Sequence, residues 1–294
     1  MEYILHLAIL ICIYTILSQS LSLVAGYSGQ ISLAHAGFYG IGAYTTALMS
    51  VNFGTPSLLN LLVALLLSGI IAFIVSKVAV KTIDDYYIII TLGIQVVIFS
   101  IMNNWQSITN GPLGIPGIPS FKILGFAFES KISFLLLSAT FTALVWYLLH
   151  RITSSPFGTV LRALSEDEVY TNSLGKNVHN AKITSFVISG MLASIAGVLY
   201  AHYISYIDPT SFTVDESIFI LSIVIIGGMR NLKGIFFAAM FLVLLPEALR
   251  FVGMPSSIAA NMRQIIYGIA LILVIYRMGV KKYNSRKRQA TETI

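Results

Sequence analysis

The feature that most constrains this chain is a series of apolar stretches, each long enough to cross a bilayer, repeated from one end to the other. A helix needs about 20 mostly apolar residues to span the hydrocarbon core. Such stretches are read at 3–25, 29–51, 57–76, 86–103, 132–150, 182–204, 214–229, 234–253 and 259–277. They predict an all-α integral membrane protein, a polytopic helical bundle of about nine spans. Composition agrees. Of 294 residues, 56% are hydrophobic and only 10% charged, against about 25% charged in a soluble domain. So few charges cannot coat a water-facing surface, and lipid must be the main partner. The second stretch is rich in glycine and reads either as a full crossing or as a broken, re-entrant one.

Two intervals remain as real loops, 104–131 and 151–181. Lysine and arginine placement orients the bundle, because cations collect on the cytoplasmic side. Lys77, Lys81, Arg151, Arg162, Lys176, Lys182, Arg230, Lys233, Arg277 and the tail residues Lys281, Lys282, Arg286, Lys287 and Arg288 fall on one side. Only Lys122, Lys131, Arg250 and Arg263 fall on the other. This division puts the 151–181 loop and the C-terminus in the cytoplasm and the 104–131 loop outside. It divides the chain into a transmembrane domain, 1–280, and a basic cytoplasmic tail, 281–294. The net charge of +6 is then a membrane-flanking anchor and implies no nucleic acid. The start Met1-Glu2-Tyr3 lacks the basic region and cleavage site of a signal peptide, so the first helix is expected to stay. Cys12, the only cysteine, excludes a disulfide within the chain. The longest polar interval is too short for a soluble enzyme core, and no GxxxxGK[ST] phosphate loop is present.

Four segments carry information. In 26–44, glycine, alanine and serine crowd together, as they do where helix backbones approach closely in lipid. Either this is tight packing, or it is a helix lining a translocation path with Gln30, Ser32 and His35 supplying polar atoms. His35 taken alone reads as an interhelical hydrogen-bonding residue. In 155–175, Pro156 and Gly158 open the segment and Gly175 closes it as a helix C-cap. Val160, Leu161 and Leu164 share one helical face, which predicts two short helices joined near Ser165–Asp167 and an ordered surface for a cytoplasmic partner. The third segment, 226–234, is a glycine-flanked turn bearing Arg230 and Lys233, equally readable as an ordinary connection. In the fourth, Glu247 and Arg250 lie three apart on one face and are expected to pair. The acids Asp84, Asp85, Asp208, Asp215 and Glu216 fall near the ends of spans, which weighs against an ion-driven carrier. Five scattered histidines weigh against a membrane-embedded enzyme.

Taken together these segments resemble the LivM-type permease subunits of bacterial ATP-binding cassette (ABC) importers for branched-chain amino acids. The stretches GYSGQISLAHAGFYGIGAY (26–44), DYYIIITLG (85–93), TNGPLGIPGIP (109–119) and SPFGTVLRALSEDEVYTNSLGKN (155–177) carry the likeness. So do SGMLASIAGVLYAH (189–202), IGGMRNLKG (226–234), LLPEALR (244–250) and YGIALILV (267–274), all in the family's order. The chain departs from the pattern at Ile83-Asp84, Asn110, Ser165, Tyr170-Thr171 and Met278.

The resemblance implies a multi-pass protein of the bacterial plasma membrane, and no enzyme. Its implied partners are a second homologous permease, two ABC ATPase subunits that use the ATP, and an extracytoplasmic solute-binding protein. No cofactor would be bound by this chain. By the same likeness Arg162, Ala163, Glu166, Glu168, Leu174 and Gly175 match the pattern that couples permease to ATPase. Permeases for urea and short amides look much alike, so they stay open as an alternative, as does an ion-coupled secondary transporter that needs no ATPase.

Overall fold

The structure, a computed structural model, describes residues 2–82, 84–123, 126–251 and 268–269. Its order begins with α1 (Glu2–Ser22), which runs on into a wide π-helical turn, Leu23–Tyr27. There follow α2 (His35–Phe53), α3 (Ser57–Ala79), α4 (Asp84–Asn104) and the single turn α5 (Gln106–Thr109). Then come α6 (Lys131–Thr153), α7 (Pro156–Glu166), α8 (Glu168–Ser173), α9 (Val178–Ile204), α10 (Val214–Gly227) and α11 (Leu232–Phe251). Helices thus lie at every predicted span up to 234–253. The predicted span 259–277 and the basic tail lie outside the described residues, and so does the side chain of Arg250. Among the described residues, five helices are long and apolar enough to cross a membrane: Glu2–Tyr27, Ser57–Ala79, Tyr86–Asn104, Lys131–Thr153 and Val178–Ile204.

Burial sorts these helices into a centre and a rim. Central α2 is covered along His35–Ala47 and packs against α9, α3, α4 and α10. Its backbone comes within touching distance of α9. A Cβ on Gly42 would sit 2.2 Å from the Ser194 carbonyl, and one on Gly197 would sit 2.1 Å from the Tyr39 carbonyl. Small residues at this seam let backbone meet backbone, the packing that holds helices together where lipid offers no hydrophobic drive. On the rim, α3, α4 and α6 expose Leu62, Leu66, Ile70, Ile74, Ile89, Val97 and Leu136. An apolar outer face is what a lipid solvent demands, since each helix has already satisfied its own backbone.

The ends of the bundle differ. At one end Lys131 pairs with Glu2 at 2.9 Å, so the N-terminus shares a face with the 104–131 loop. That loop is built from short pieces: β1 (Ile115–Pro116) pairs antiparallel with β4 (Tyr206–Ile207), and β2 (Lys122–Ile123) pairs with β3 (Phe126–Ala127). His202 Nδ1 lies 2.7 Å from the Pro119 carbonyl and buries the loop against the end of α9. At the opposite end stand α7 and α8.

The helix at the second predicted span starts later than expected, at His35 and not at 29. Gly29 adopts φ +75°, a left-handed backbone that no helix continues through. Residues 28–34 therefore run as irregular chain between the wide turn and α2.

Candidate functional site

A helix that begins inside the bundle exposes free N–H groups, and at membrane depth these must be met by protein. Those of Ala36 and Gly37, with two in the chain just before them, find a partner on another element or nearby. The Leu33 N–H donates to Thr91 Oγ1 at 3.2 Å, Ala34 N–H to Ser32 Oγ at 3.2 Å, and Ala36 N–H to Ser217 Oγ at 3.0 Å. Gly37 N–H donates to Gln95 Oε1 at 2.6 Å, and the Gln95 amide in turn donates to the Phe212 carbonyl at 2.8 Å. His35 Nε2 lies 2.9 Å from Ser189 Oγ on α9, and Ser189 donates onward to the Ser20 carbonyl of α1. The break is thus held by α1, α4, α9 and α10 together.

The three proposed pathway residues do not converge. Gln30 lines a small cavity of about 100 Å³ with Gly29, Ile31, Thr82, Tyr87, Ile88 and Lys182. Ser32 is buried and turned to its own backbone, and His35 is the interhelical hydrogen-bonding residue described above. Gln95, Thr91, Ser189 and Ser217 were not singled out from the sequence. Gln95 could have been, since an amide in the middle of IIITLGIQVVIFS must have a buried partner.

The expected pair of short helices is α7 and α8, joined at Asp167. Ser155 caps α7 by accepting from Gly158 N–H, Pro156 occupies its first position, and Asp167 caps α8 by accepting from Tyr170 N–H at 2.8 Å. Leu161 and Leu164 pack inward. The other side stays bare: Val169 is 80% exposed, Tyr170 61% and Leu174 58%, an apolar patch on the tip of an element at the bundle's end. Gly175 closes α8 with φ +74° and donates its N–H to the Asn172 carbonyl at 2.9 Å.

The six residues matched by resemblance divide. Arg162 is exposed but folds back on its own chain, donating to the carbonyls of Thr153 at 2.6 Å and Gly158 at 3.3 Å, and lying 6.0 Å from the Tyr27 ring centre. It caps the end of α6, as a cation at a helix C-terminus should. Ala163 is half-buried on α7. Glu166 meets Arg230 at 3.3 Å. Glu168 holds Lys182 at 2.5 Å; the lysine is 9% exposed and the carboxylate 52%, so the pair keeps a nearly buried ammonium compensated. Leu174 and Gly175 lie at the exposed tip and its hinge.

Comparison with known proteins follows the same lines. The family model described as "Branched-chain amino acid transport system / permease component" matches residues 3–275. The high-affinity branched-chain amino acid permease LivM of Escherichia coli is 33% identical over 267 residues, covering 83% of this chain and 63% of the relative. The probable LivM of Methanocaldococcus jannaschii is 26% identical, covering 90% of this chain and 88% of the relative. The E. coli permease LivH is 23% identical, covering 90% and 89%. The chain therefore spans less than two thirds of the length of the E. coli LivM it matches. No solved structure matches it. With a helical multi-pass bundle on the page and a family model covering nearly all of it, this chain belongs to the branched-chain amino acid transport permease family, whose members are transporters and not enzymes.

Proposed function

We propose that the chain is the membrane-spanning permease subunit of an ABC importer, carrying branched-chain amino acids into the cell by alternating access. The elbow formed by α7 and α8 carries this reading. An ordered, doubly capped pair of helices with an apolar exposed tip needs a partner, and a simple connector between spans usually runs only about 2–8 residues. Two ATPase subunits are the natural partners, one seated on the Val169–Leu174 tip. A second permease would complete the pathway, as the likeness to both LivM and LivH supports. A solute-binding protein would deliver substrate to the face carrying the 104–131 loop. In this reading the bundle has nine spans with the C-terminus inside, the 151–181 loop is cytoplasmic, and the N-terminus, paired through Glu2 to Lys131, is outside. ATP is spent by the partners.

An apolar zwitterion suits the interior. No carboxylate is among the buried polar residues described, and the buried lysine there, Lys182, is paired with Glu168; unpaired fixed charges would trap an amino acid in transit. The test is uptake of labelled leucine by vesicles containing this chain with the second permease, both ATPases and the binding protein. ATP-dependent accumulation, outcompeted by isoleucine and not by urea, is expected. Accumulation driven by an ion gradient without the ATPases would refute the reading.

A further inference from the structure

The glycine-flanked hairpin between α10 and α11 is more than a turn. We infer that Arg230 is a positioning residue that ties the α7–α8 elbow to the wide turn leading into the irregular segment before α2, so that the two move together. Its guanidinium reaches three acceptors on two elements: the Gly26 carbonyl at 2.9 Å, Ser165 Oγ at 2.5 Å and Glu166 Oε1 at 3.3 Å. The Gly26 carbonyl is available because the wide turn Leu23–Tyr27 ends α1 there, leaving its last carbonyls without helical partners.

Both anchors of this bridge are stiff. Asn231 N–H donates to the Gly228 carbonyl at 2.8 Å and Asn231 Oδ1 accepts from Gly234 N–H at 3.1 Å, closing the hairpin. The hairpin is fastened to α1 by Gln19 Nε2 donating to the Leu232 carbonyl at 3.2 Å and by Tyr27 Oη donating to the Arg230 carbonyl at 2.9 Å. Gly26 lies so close to the Met229 carbonyl that an added Cβ would overlap it, at 1.8 Å. On the elbow side, a Cβ on Gly29 would sit 3.0 Å from the Ser165 Cβ, so the irregular segment touches the elbow directly.

If the elbow shifts, the bridge must either break or pass the shift to residues 26–31. Gln30, in that segment, lines the small cavity with Lys182, and Lys182 holds Glu168 of α8. The elbow therefore grips both walls of that cavity. A planar fork spreads its donors over three nitrogens and so reaches three separated acceptors at once, whereas the three donors of a lysine ammonium all leave one nitrogen. This inference rests on the transporter reading above.

The experiment uses the complete importer in vesicles, with uptake and ATP hydrolysis measured on the same preparation for wild type, Arg230→Gln, Arg230→Lys and Ser165→Ala. A charge-assisted bond of this kind is worth about tenfold in an equilibrium. Arg230→Gln is expected to cut uptake by about that factor while hydrolysis and ATPase co-purification persist, so ATP used per molecule carried rises. Arg230→Lys should fall between, and Ser165→Ala should shift the ratio slightly in the same direction. A merely structural role predicts parallel loss of uptake and hydrolysis, which would overturn the inference, as would an unchanged ratio in all three. If Arg230→Gln fails to accumulate, the ratios for Arg230→Lys and Ser165→Ala decide, and normal values in both overturn it. Absence of ATP-driven uptake by the wild-type vesicles would instead sink the transporter reading itself.

Discussion

Placing the same methyl group at two helical glycines should move stability in opposite directions. Gly42 on α2 faces the α9 backbone, where an added Cβ would lie 2.2 Å from the Ser194 carbonyl and 2.8 Å from its Cα. Gly93 on α4 has nothing within 4 Å of that position. Alanine is favoured over glycine inside a helix by about 1 kcal/mol, and this gain is common to both variants, so it cancels in their comparison. What remains is the clash. Ordinary contact begins near 3.4 Å, so α2 and α9 must part by roughly 1 Å, which forfeits much of the dispersion along a backbone-to-backbone seam. Neither neighbour is a flexible side-chain tip that could turn away. Overpacking of this kind costs about 1–3 kcal/mol. Gly42→Ala should therefore melt several degrees below Gly93→Ala when the detergent-purified chains are heated side by side, with Gly93→Ala at or above wild type. Equal melting temperatures, or a more stable Gly42→Ala, would show that the seam is looser than described.

Gln95→Leu removes one of the two acceptors of Gly37 N–H, the other being the Ala34 carbonyl, and the donor to the Phe212 carbonyl; a buried carbonyl left unpaired costs about 1–3 kcal/mol, measurable as lower thermal stability, and a neutral result would mean that other groups replace the amide. Gly175→Val places a β-branched residue at φ +74° in open space, so its cost of about 1–2 kcal/mol is purely conformational. It should lower uptake while the protein still accumulates in the membrane, whereas Gly175→Asn, tolerant of that backbone, should largely keep activity. Gln30→Leu should change uptake more than stability and His35→Phe the reverse, since only Gln30 faces the cavity; the opposite pattern would reassign both. Cysteines introduced at Lys122 and Lys176 should react with impermeant reagent from opposite sides of the membrane, and labelling of both from one side would break the topology.

The sequence made the rim of this fold easier to read than its centre. Spans such as 57–76 and 132–150 appear as helices because length and apolarity are local properties. The elbow was legible for a similar reason: Pro156, Asp167 and Gly175 are local punctuation, and each does at its own position what its chemistry requires. The start of α2 was not legible, because the choice between helix and irregular chain over 28–34 rests on acceptors supplied by Gln95 and Ser217, far along the chain. Arg162 shows another limit. A match to a family pattern marks the residue, but only the positions of the Thr153 and Gly158 carbonyls show that its donors are spent on the chain's own backbone. Arg230 stood in plain view in its motif, yet the Gly26 carbonyl that makes it a bridge is free only because α1 ends in a wide turn.

The late start of α2 also bears on how the protein is made. Its opening turns are satisfied by residues 58 positions away at Thr91 and Gln95, 154 away at Ser189 and 181 away at Ser217. None of these exists when α2 leaves the ribosome. Until α4 arrives the nascent segment must keep its bare amides in contact with water or the insertion machinery, and its final seat is complete only after α10 has been synthesised. Nonsense mutations that stop the chain between α6 and α10 should therefore leave an N-terminal fragment whose second helix never docks, recognised by membrane proteases as unassembled even though its first and third helices are fully inserted.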